Sequence, residues 1–267
     1  MKAAWAAGEL MRRHLRSTKT INSATQHDIK LELDVRCQKL IERKLRAAFP
    51  SIAILGEEGV LGDTESEYRW VVDPIDGTVN FTYGIPHACV SIALQERSAK
   101  GQVPGVKSKK LLTRHATRNT DHVTLVGVVY DPFCDELWTA IRGGRAYLNG
   151  TVIHVSDRSR LNEAIVSIGF AKYKTSLNQM ISVLNRVVHR VRKIRIMGSA
   201  ALAMTYVASG RMDAYVEAGI RLWDIAAGGL ILECAGGDFW REPLPGRHKY
   251  RVMANNGLLR PKLRRLI

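Results

Sequence analysis

Apolar positions along the chain switch between two periods, and the switches mark out its organisation. Residues 2–16 and 31–49 carry apolar side chains at helical spacing, the second with Cys37, Leu40 or Ile41, Leu45 and Ala48 in register. Pro50 then stops it. Short β-prone runs follow at 52–55, 70–72, 88–94, 123–130 and 135–141, separated by turn residues such as Asp131-Pro132 and Gly143-Gly144. This half reads as an antiparallel sheet flanked by two helices. Beyond Ser156 the pattern alternates: strands at 164–168, 193–197 and 213–216, helices at 177–188, 200–208 and 224–234. Such alternation predicts a layered, mixed α/β architecture, divided here into regions 1–155 and 156–267. No internal repeat is present. One stretch of low hydrophobicity, 98–122, reads as a mobile excursion between two strands.

Composition narrows the class. The 267 residues are 46% apolar, which excludes wholesale disorder, and no apolar run approaches the roughly 18 to 20 residues of a bilayer span. The opening ten residues lack the long apolar stretch of a secretory signal, and the four cysteines form no C-x-x-C pair. A cytoplasmic protein with free thiols and no membrane partner is expected. With 40 Lys plus Arg against 25 Asp plus Glu, the net charge is +15. Residues 98–122 hold six of the cations against one acid, and 241–267 hold eight against one. A basic balance of this kind fits polyanion binding or the steering of anionic substrates.

Candidate chemistry is densest at Asp73-Pro-Ile-Asp76-Gly77-Thr78, behind an apolar strand. Two carboxylates crowded at a strand end repel each other unless a cation lies between them, and carboxylate-only ligation favours Mg²⁺ or Mn²⁺ over zinc. Gly77 and Thr78 then offer backbone N–H groups and a hydroxyl at a helix start, where phosphate is held, although Thr78 also reads as a simple N-cap. Glu57-Glu58 sits between glycines at the end of another short apolar run. Asp224 opens an Ala/Gly-rich apolar helix, where it reads as an N-cap or a ligand. Asp28 to Asp34 is the weakest acidic signal, since acids ahead of a helix are common.

Taken together these residues resemble the inositol monophosphatase family of magnesium-dependent, lithium-sensitive phosphatases. The resemblance spans nearly the whole chain, from Asp28 and Asp34 through Gly56-Glu57-Glu58 and the Asp73 to Phe81 motif to Gly198-Ser-Ala-Ala201, Asp213 to Glu217 and Trp223 to Gly228. It implies a layered αβαβα sandwich of the sugar phosphatase type, usually homodimeric, with the two regions forming one catalytic unit. It further implies that Glu57, Asp73 and the Ile75 carbonyl hold one Mg²⁺, that Asp73, Asp76 and Asp224 hold a second, and that Glu57 holds a weaker third. A metal-activated water, oriented by Thr78 and Glu57 with Asp34 behind Thr78, would attack phosphorus. Substrate contacts would come from Asp76, Gly77, Thr78, Ala200, Glu217 and Arg221. Leu31 departs from the family's usual Thr, and Arg221 stands where animal members carry His.

The activity so implied is hydrolysis of a small phosphomonoester, foremost inositol monophosphate. Relatives acting on adenosine bisphosphate, fructose bisphosphate, histidinol phosphate or NADP share the same ligands, and loops set the choice. A different class, an RNA- or protein-binding factor on a phosphatase scaffold, would draw on the positive charge, with nucleic acid as a secondary partner. Against it, a scaffold freed from catalysis has no physical reason to keep several mutually repelling carboxylates.

Overall fold

The computed structural model describes residues 1–25, 28–98, 122–171 and 174–267. The excursion expected at 98–122 lies outside them except for Ser98 and His122. Helix α1 (Lys2–His14) buries Ala3, Ala4, Ala7 and Met11, and α2 (Glu32–Ala48) buries Leu33, Cys37, Ile41 and Leu45. These are the i, i+3 and i+4 recurrences of the sequence. Between them β1 (Ile21–Thr25) and β2 (Asp28–Leu31) pair as an antiparallel hairpin, where sequence pattern alone gives only acids ahead of a helix.

The larger sheet is built from β3 (Ala53–Gly56), β4 (Gly59–Leu61), β5 (Tyr68–Asp76), β6 (Cys89–Arg97), β7 (His122–Asp131), β8 (Glu136–Ile141), β9 (Ala146–Leu148) and β10 (Thr151–Val152). Its order is β10-β9-β8-β7-β6-β5-β3-β4, antiparallel throughout except for the parallel pair β3 and β5. Helix α3 (Thr78–Thr82) lies between β5 and β6.

The second sheet comprises β11 (Ile165–Ile168), β12 (Lys193–Arg195), β13 (Ala214–Arg221), β14 (Asp238–Pro243) and β15 (Lys249–Asn255), in the order β12-β11-β13-β15-β14. Its first three strands in that order are parallel and the remainder antiparallel. Helices α4 (Lys174–Val187), α5 (Ala200–Ala208), α6 (Leu222–Cys234) and α7 (Arg260–Leu263) complete it. Near the acidic residues the boundaries differ from the sequence pattern: β5 runs on to Asp76, β13 to Arg221, and α6 begins at Leu222, two residues before Asp224.

Packing divides these elements into five layers. One core joins α1 and α2 to a face of the larger sheet through Met11, Ile41, Trp70, Val72 and Val90. A second joins the opposite face, through Val71, Ala93 and Trp138, to α5, α6 and the smaller sheet. A third lies under α4 and α7, with Val166, Val183, Val216 and Leu263. The order is therefore αβαβα. Helices α5 and α6 are apolar around their circumference because they are covered on both sides, and their Ala and Gly residues let both sheets approach. Among the described residues no helix is long and apolar enough to cross a membrane.

Candidate functional site

The acidic residues meet where the larger sheet abuts the middle helices. Along β5, Trp70 and Val72 face the α1/α2 core, while Val71 faces the middle layer, so Asp73 falls on the middle-layer side. Asp76, three residues on, would point the other way in a regular strand. A bulge prevents this: Asp73 lies opposite Ser91 and Asp76 opposite Cys89, so β5 spends one residue more than β6. Pro74 sits inside the bulge, where its missing N–H breaks no ladder bond. Ile75 consequently turns into the α1/α2 core, and both carboxylates share one face.

Glu57 arrives from the neighbouring strand. The parallel register sets Gly56 beside Val72, and the Glu57 N–H bonds the Val72 carbonyl at 3.1 Å. Asp224 arrives from the middle layer in the first turn of α6, where a carboxylate oxygen accepts the Arg221 N–H at 3.0 Å. Its place is thus inside the helix, reaching back to the cap, and not the N-cap itself. Oxygens of Glu57, Asp73 and Asp224 all lie within 4.8 Å of one another.

Burial, followed by repulsion from Glu57, raises the pKa of both Asp73 and Asp224 well above the ordinary carboxylate range. Such a trio is neutralised either by protons or by a cation. With oxygen donors only, and neither His nor Cys among them, the residues fit a hard divalent ion such as Mg²⁺ or Mn²⁺.

Asp76 stands outside the trio. Its carboxylate accepts from the Ser199 hydroxyl at 2.6 Å and from the Ala201 and Ala200 N–H groups at 2.7 and 3.3 Å, at the N-terminus of α5. Burial raises its pKa and these donors lower it. The ligand role that the resemblance implies for Asp76 competes with these bonds. Ser199, which caps α5 and holds Asp76, is a site residue that sequence reasoning passes over; the Gly-Ser-Ala-Ala run ahead of an apolar helix is its signal.

Around the acids opens a cleft of about 720 Å³. Ile75, Gly77, Thr78 and Ala200 line it, as do Glu217 and Arg221. Gly77, at φ +96°, is the cap of α3, so Thr78 is the first helical residue and not the cap. Glu217 accepts the Tyr215 hydroxyl, and burial raises its pKa to about 7. Gly169 makes room for it: a Cβ there would stand 1.8 Å from a Glu217 oxygen. Lys30, Ser167 and Arg247 also line the cleft without any prior signal in the sequence, because each reaches it only through tertiary packing.

Asp34 is placed differently from the expectation. It is buried outside the cleft lining, where one oxygen accepts the Leu31 N–H at 2.7 Å and the other has no partner. Burial, with repulsion from Glu58 and Glu57, raises its pKa to about 7. The Thr78 hydroxyl donates instead to the Ile75 carbonyl at 2.9 Å.

The sequence matches the model of the inositol monophosphatase family over residues 1–106 and 119–260. Among its relatives, the Nus factor SuhB of Xylella fastidiosa is 37% identical across 89% of this chain and 78% of its own length. Inositol monophosphatase 2 of Solanum lycopersicum is 38% identical across 89% of this chain and 83% of its own. In three dimensions the extragenic suppressor protein SuhB of Bartonella henselae superposes with a TM-score of 0.84 at 31% identity, covering 99% of this chain and 95% of that one.

Proposed function

The chain belongs to the inositol monophosphatase family, and from that premise we propose that it hydrolyses a small phosphomonoester, foremost inositol monophosphate, in a Mg²⁺-dependent reaction. The observation that carries this reading is the convergence of Glu57, Asp73 and Asp224, from three separate elements, within 4.8 Å. Glu57, Asp73, the Ile75 carbonyl and Asp224 would hold divalent cations, with Asp76 beside them. Bound there, such ions neutralise phosphate charge and lower the pKa of water.

The chain's own groups then divide the remaining work. Gly77 and Thr78 hold the phosphate. The Thr78 hydroxyl, its proton committed to the Ile75 carbonyl, presents lone pairs only, so it accepts from an incoming water and turns that water's oxygen toward phosphorus. Glu57 provides a second acceptor for the same water. Asp34 accepts the Leu31 N–H at the start of α2, and no hydrogen bond joins it to Thr78.

Glu217 and the backbone at Ala200 face the alcohol. A carboxylate accepts hydrogen bonds from hydroxyl groups, which suits a polyol, and a site built for such bonds rejects analogues that lack them. Arg221 and Arg247 also line the cleft and favour a substrate with a further anionic group, which keeps bisphosphates on the test panel.

The test is phosphate release from a panel of small phosphomonoesters with and without Mg²⁺. Activity is expected to fall to background in excess EDTA and in Asp224→Asn, which removes one anionic ligand. Turnover that persists in excess EDTA sinks the metal-dependent reading.

A further inference from the structure

The positive charge of the chain is concentrated by folding in a way its linear distribution conceals. No Asp or Glu occurs between Glu163 and Asp213, nor after Glu242. Within those acid-free stretches, 186–195 carries Arg186, Arg190, Arg192, Lys193 and Arg195, and 260–265 carries Arg260, Lys262, Arg264 and Arg265.

One bond joins the two stretches directly, and two more tie each of them to the intervening segment 159–164. The Arg186 guanidinium donates to the Leu266 carbonyl at 2.7 Å, the Lys262 ammonium to the Ser159 carbonyl at 2.7 Å, and the Arg192 N–H to the Ala164 carbonyl at 2.9 Å. Val183, Val187, Leu263 and Leu266 pack beneath them in one core. The end of α4, the start of β12 and the C-terminal turn thereby form one surface.

Its cations face solvent, the Lys262 ammonium while keeping its bond to the Ser159 carbonyl. Arg190, Arg192, Lys193, Lys262, Arg264 and Arg265 are all exposed, and none is ion-paired among the described residues. The neighbouring acids are engaged elsewhere: Glu163 with Arg160, Asp213 with Arg158, Asp238 with Arg260. Asp157 remains as an exposed carboxylate of the adjoining stretch.

Position separates this surface from the cleft. Strands β11 and β12 are parallel, with Ile165 beside Lys193. The basic residues sit at the N-terminal ends of these strands, whereas the cleft is lined by Ile168, Gly169, Met197 and Gly198 at their C-terminal ends. Protection of a sheet edge accounts for Lys193 on β12. It does not account for Arg190, Arg192, Arg264 and Arg265, which lie off the strand and repel one another.

We infer that this surface binds the phosphate backbone of a nucleic-acid duplex. Four of the six cations are arginines, whose planar forks match phosphate oxygens. Single strands are held by stacking bases on exposed aromatic rings. The exposed Trp, Phe and Tyr side chains among the described residues are Trp5 on α1, Phe49 at the end of α2 and Tyr83 at the end of α3, none of them within 186–195 or 260–267. Apart from the single imidazole of the exposed His189, the surface thus offers charge without stacking, which suits a regular backbone. This binding is independent of the phosphatase reading, since the two surfaces share no residue.

The experiment measures anisotropy of labelled duplexes of about 20 base pairs, RNA and DNA of one sequence, and of their separate strands, against the full chain from 50 to 200 mM salt, with phosphatidylserine vesicles as a competing polyanion. Six phosphate contacts give a slope of log affinity on log salt near −5, about −0.9 for each. The combined variant Arg190→Gln, Arg192→Gln, Arg264→Gln, Arg265→Gln is expected to bind more weakly and to bring the slope to about −2, so that its loss of affinity between 50 and 200 mM salt falls from about 1,000-fold to about 10-fold. Its melting temperature and phosphate release should match the wild type, which shows that the fold is intact. Tighter binding of one duplex identifies which backbone is preferred. The inference is overturned by wild-type protein that ignores both duplexes, by a variant that binds as tightly as wild type, by preference for the single strands, or by tighter binding to phosphatidylserine vesicles than to either duplex.

Discussion

Replacing Asp34 with Asn is expected to stabilise the protein at alkaline pH and to do so progressively less as the pH falls. The side chain is 2% exposed, with one oxygen on the Leu31 N–H and the other unpartnered. Its pKa is raised from an ordinary 3.8 to about 7. Between those values the folded chain holds a proton that the unfolded chain releases, so folding weakens as pH rises through this window and levels off above about 7. The full span amounts to about 4 kcal/mol at 1.36 kcal/mol per pH unit.

Asparagine keeps the acceptor for Leu31 and carries no charge to desolvate, but its amide group enters the place of an unpartnered oxygen, which costs about 1 to 2 kcal/mol. The net gain at pH 8 is therefore about 2 to 3 kcal/mol. Urea unfolding of both proteins in EDTA at pH 5, 6, 7 and 8 would measure it. The difference between the two curves should move by about 3 kcal/mol in favour of the variant across that range. A difference that stays flat with pH would show that Asp34 is not a buried, high-pKa carboxylate, and the reasoning from burial would fail.

Two further outcomes bear on substrate choice. Glu217→Gln should lower kcat/KM for inositol monophosphate by roughly 10- to 100-fold, the worth of a charged hydrogen bond, while leaving a plain aryl phosphate nearly unaffected; equal losses on both substrates would remove Glu217 from specificity. Gly169→Ala should reproduce that selectivity pattern without touching the carboxylate chemically, because its Cβ would fall 1.8 Å from a Glu217 oxygen and push a flexible side chain off Tyr215. A variant that melts normally and keeps wild-type discrimination between the substrates would refute it.

Much of the architecture was legible in the chain alone. Apolar recurrence located α1, α2, α4 and α5 because each buries a defined stripe or is buried all round, and a local pattern reports burial directly. The Asp73 to Thr78 motif, Glu57 and Asp224 were legible as acidic chemistry because carboxylates behind apolar strands are unusual without a cation. Weaker patterns hid other parts. The hairpin of β1 and β2 is exposed along its first strand and carries no alternation, and β14 shows a single fully buried residue at its start.

What only the tertiary structure decided are the relations between distant segments. Alternation along β5 would send Asp73 and Asp76 to opposite faces, and it is the pairing with β6, one residue out of step, that puts them on the same one. Ser199 holds Asp76 across 123 positions of sequence, and Gly169 matters only because Glu217 folds over it. The basic surface likewise joins 186–195 to the C-terminal turn, two stretches whose charges look unrelated in the sequence. A sequence fixes through local periodicity which residues must leave water. Which of them then meet depends on strand register and layer packing, where a shift of one residue reverses a side chain's face.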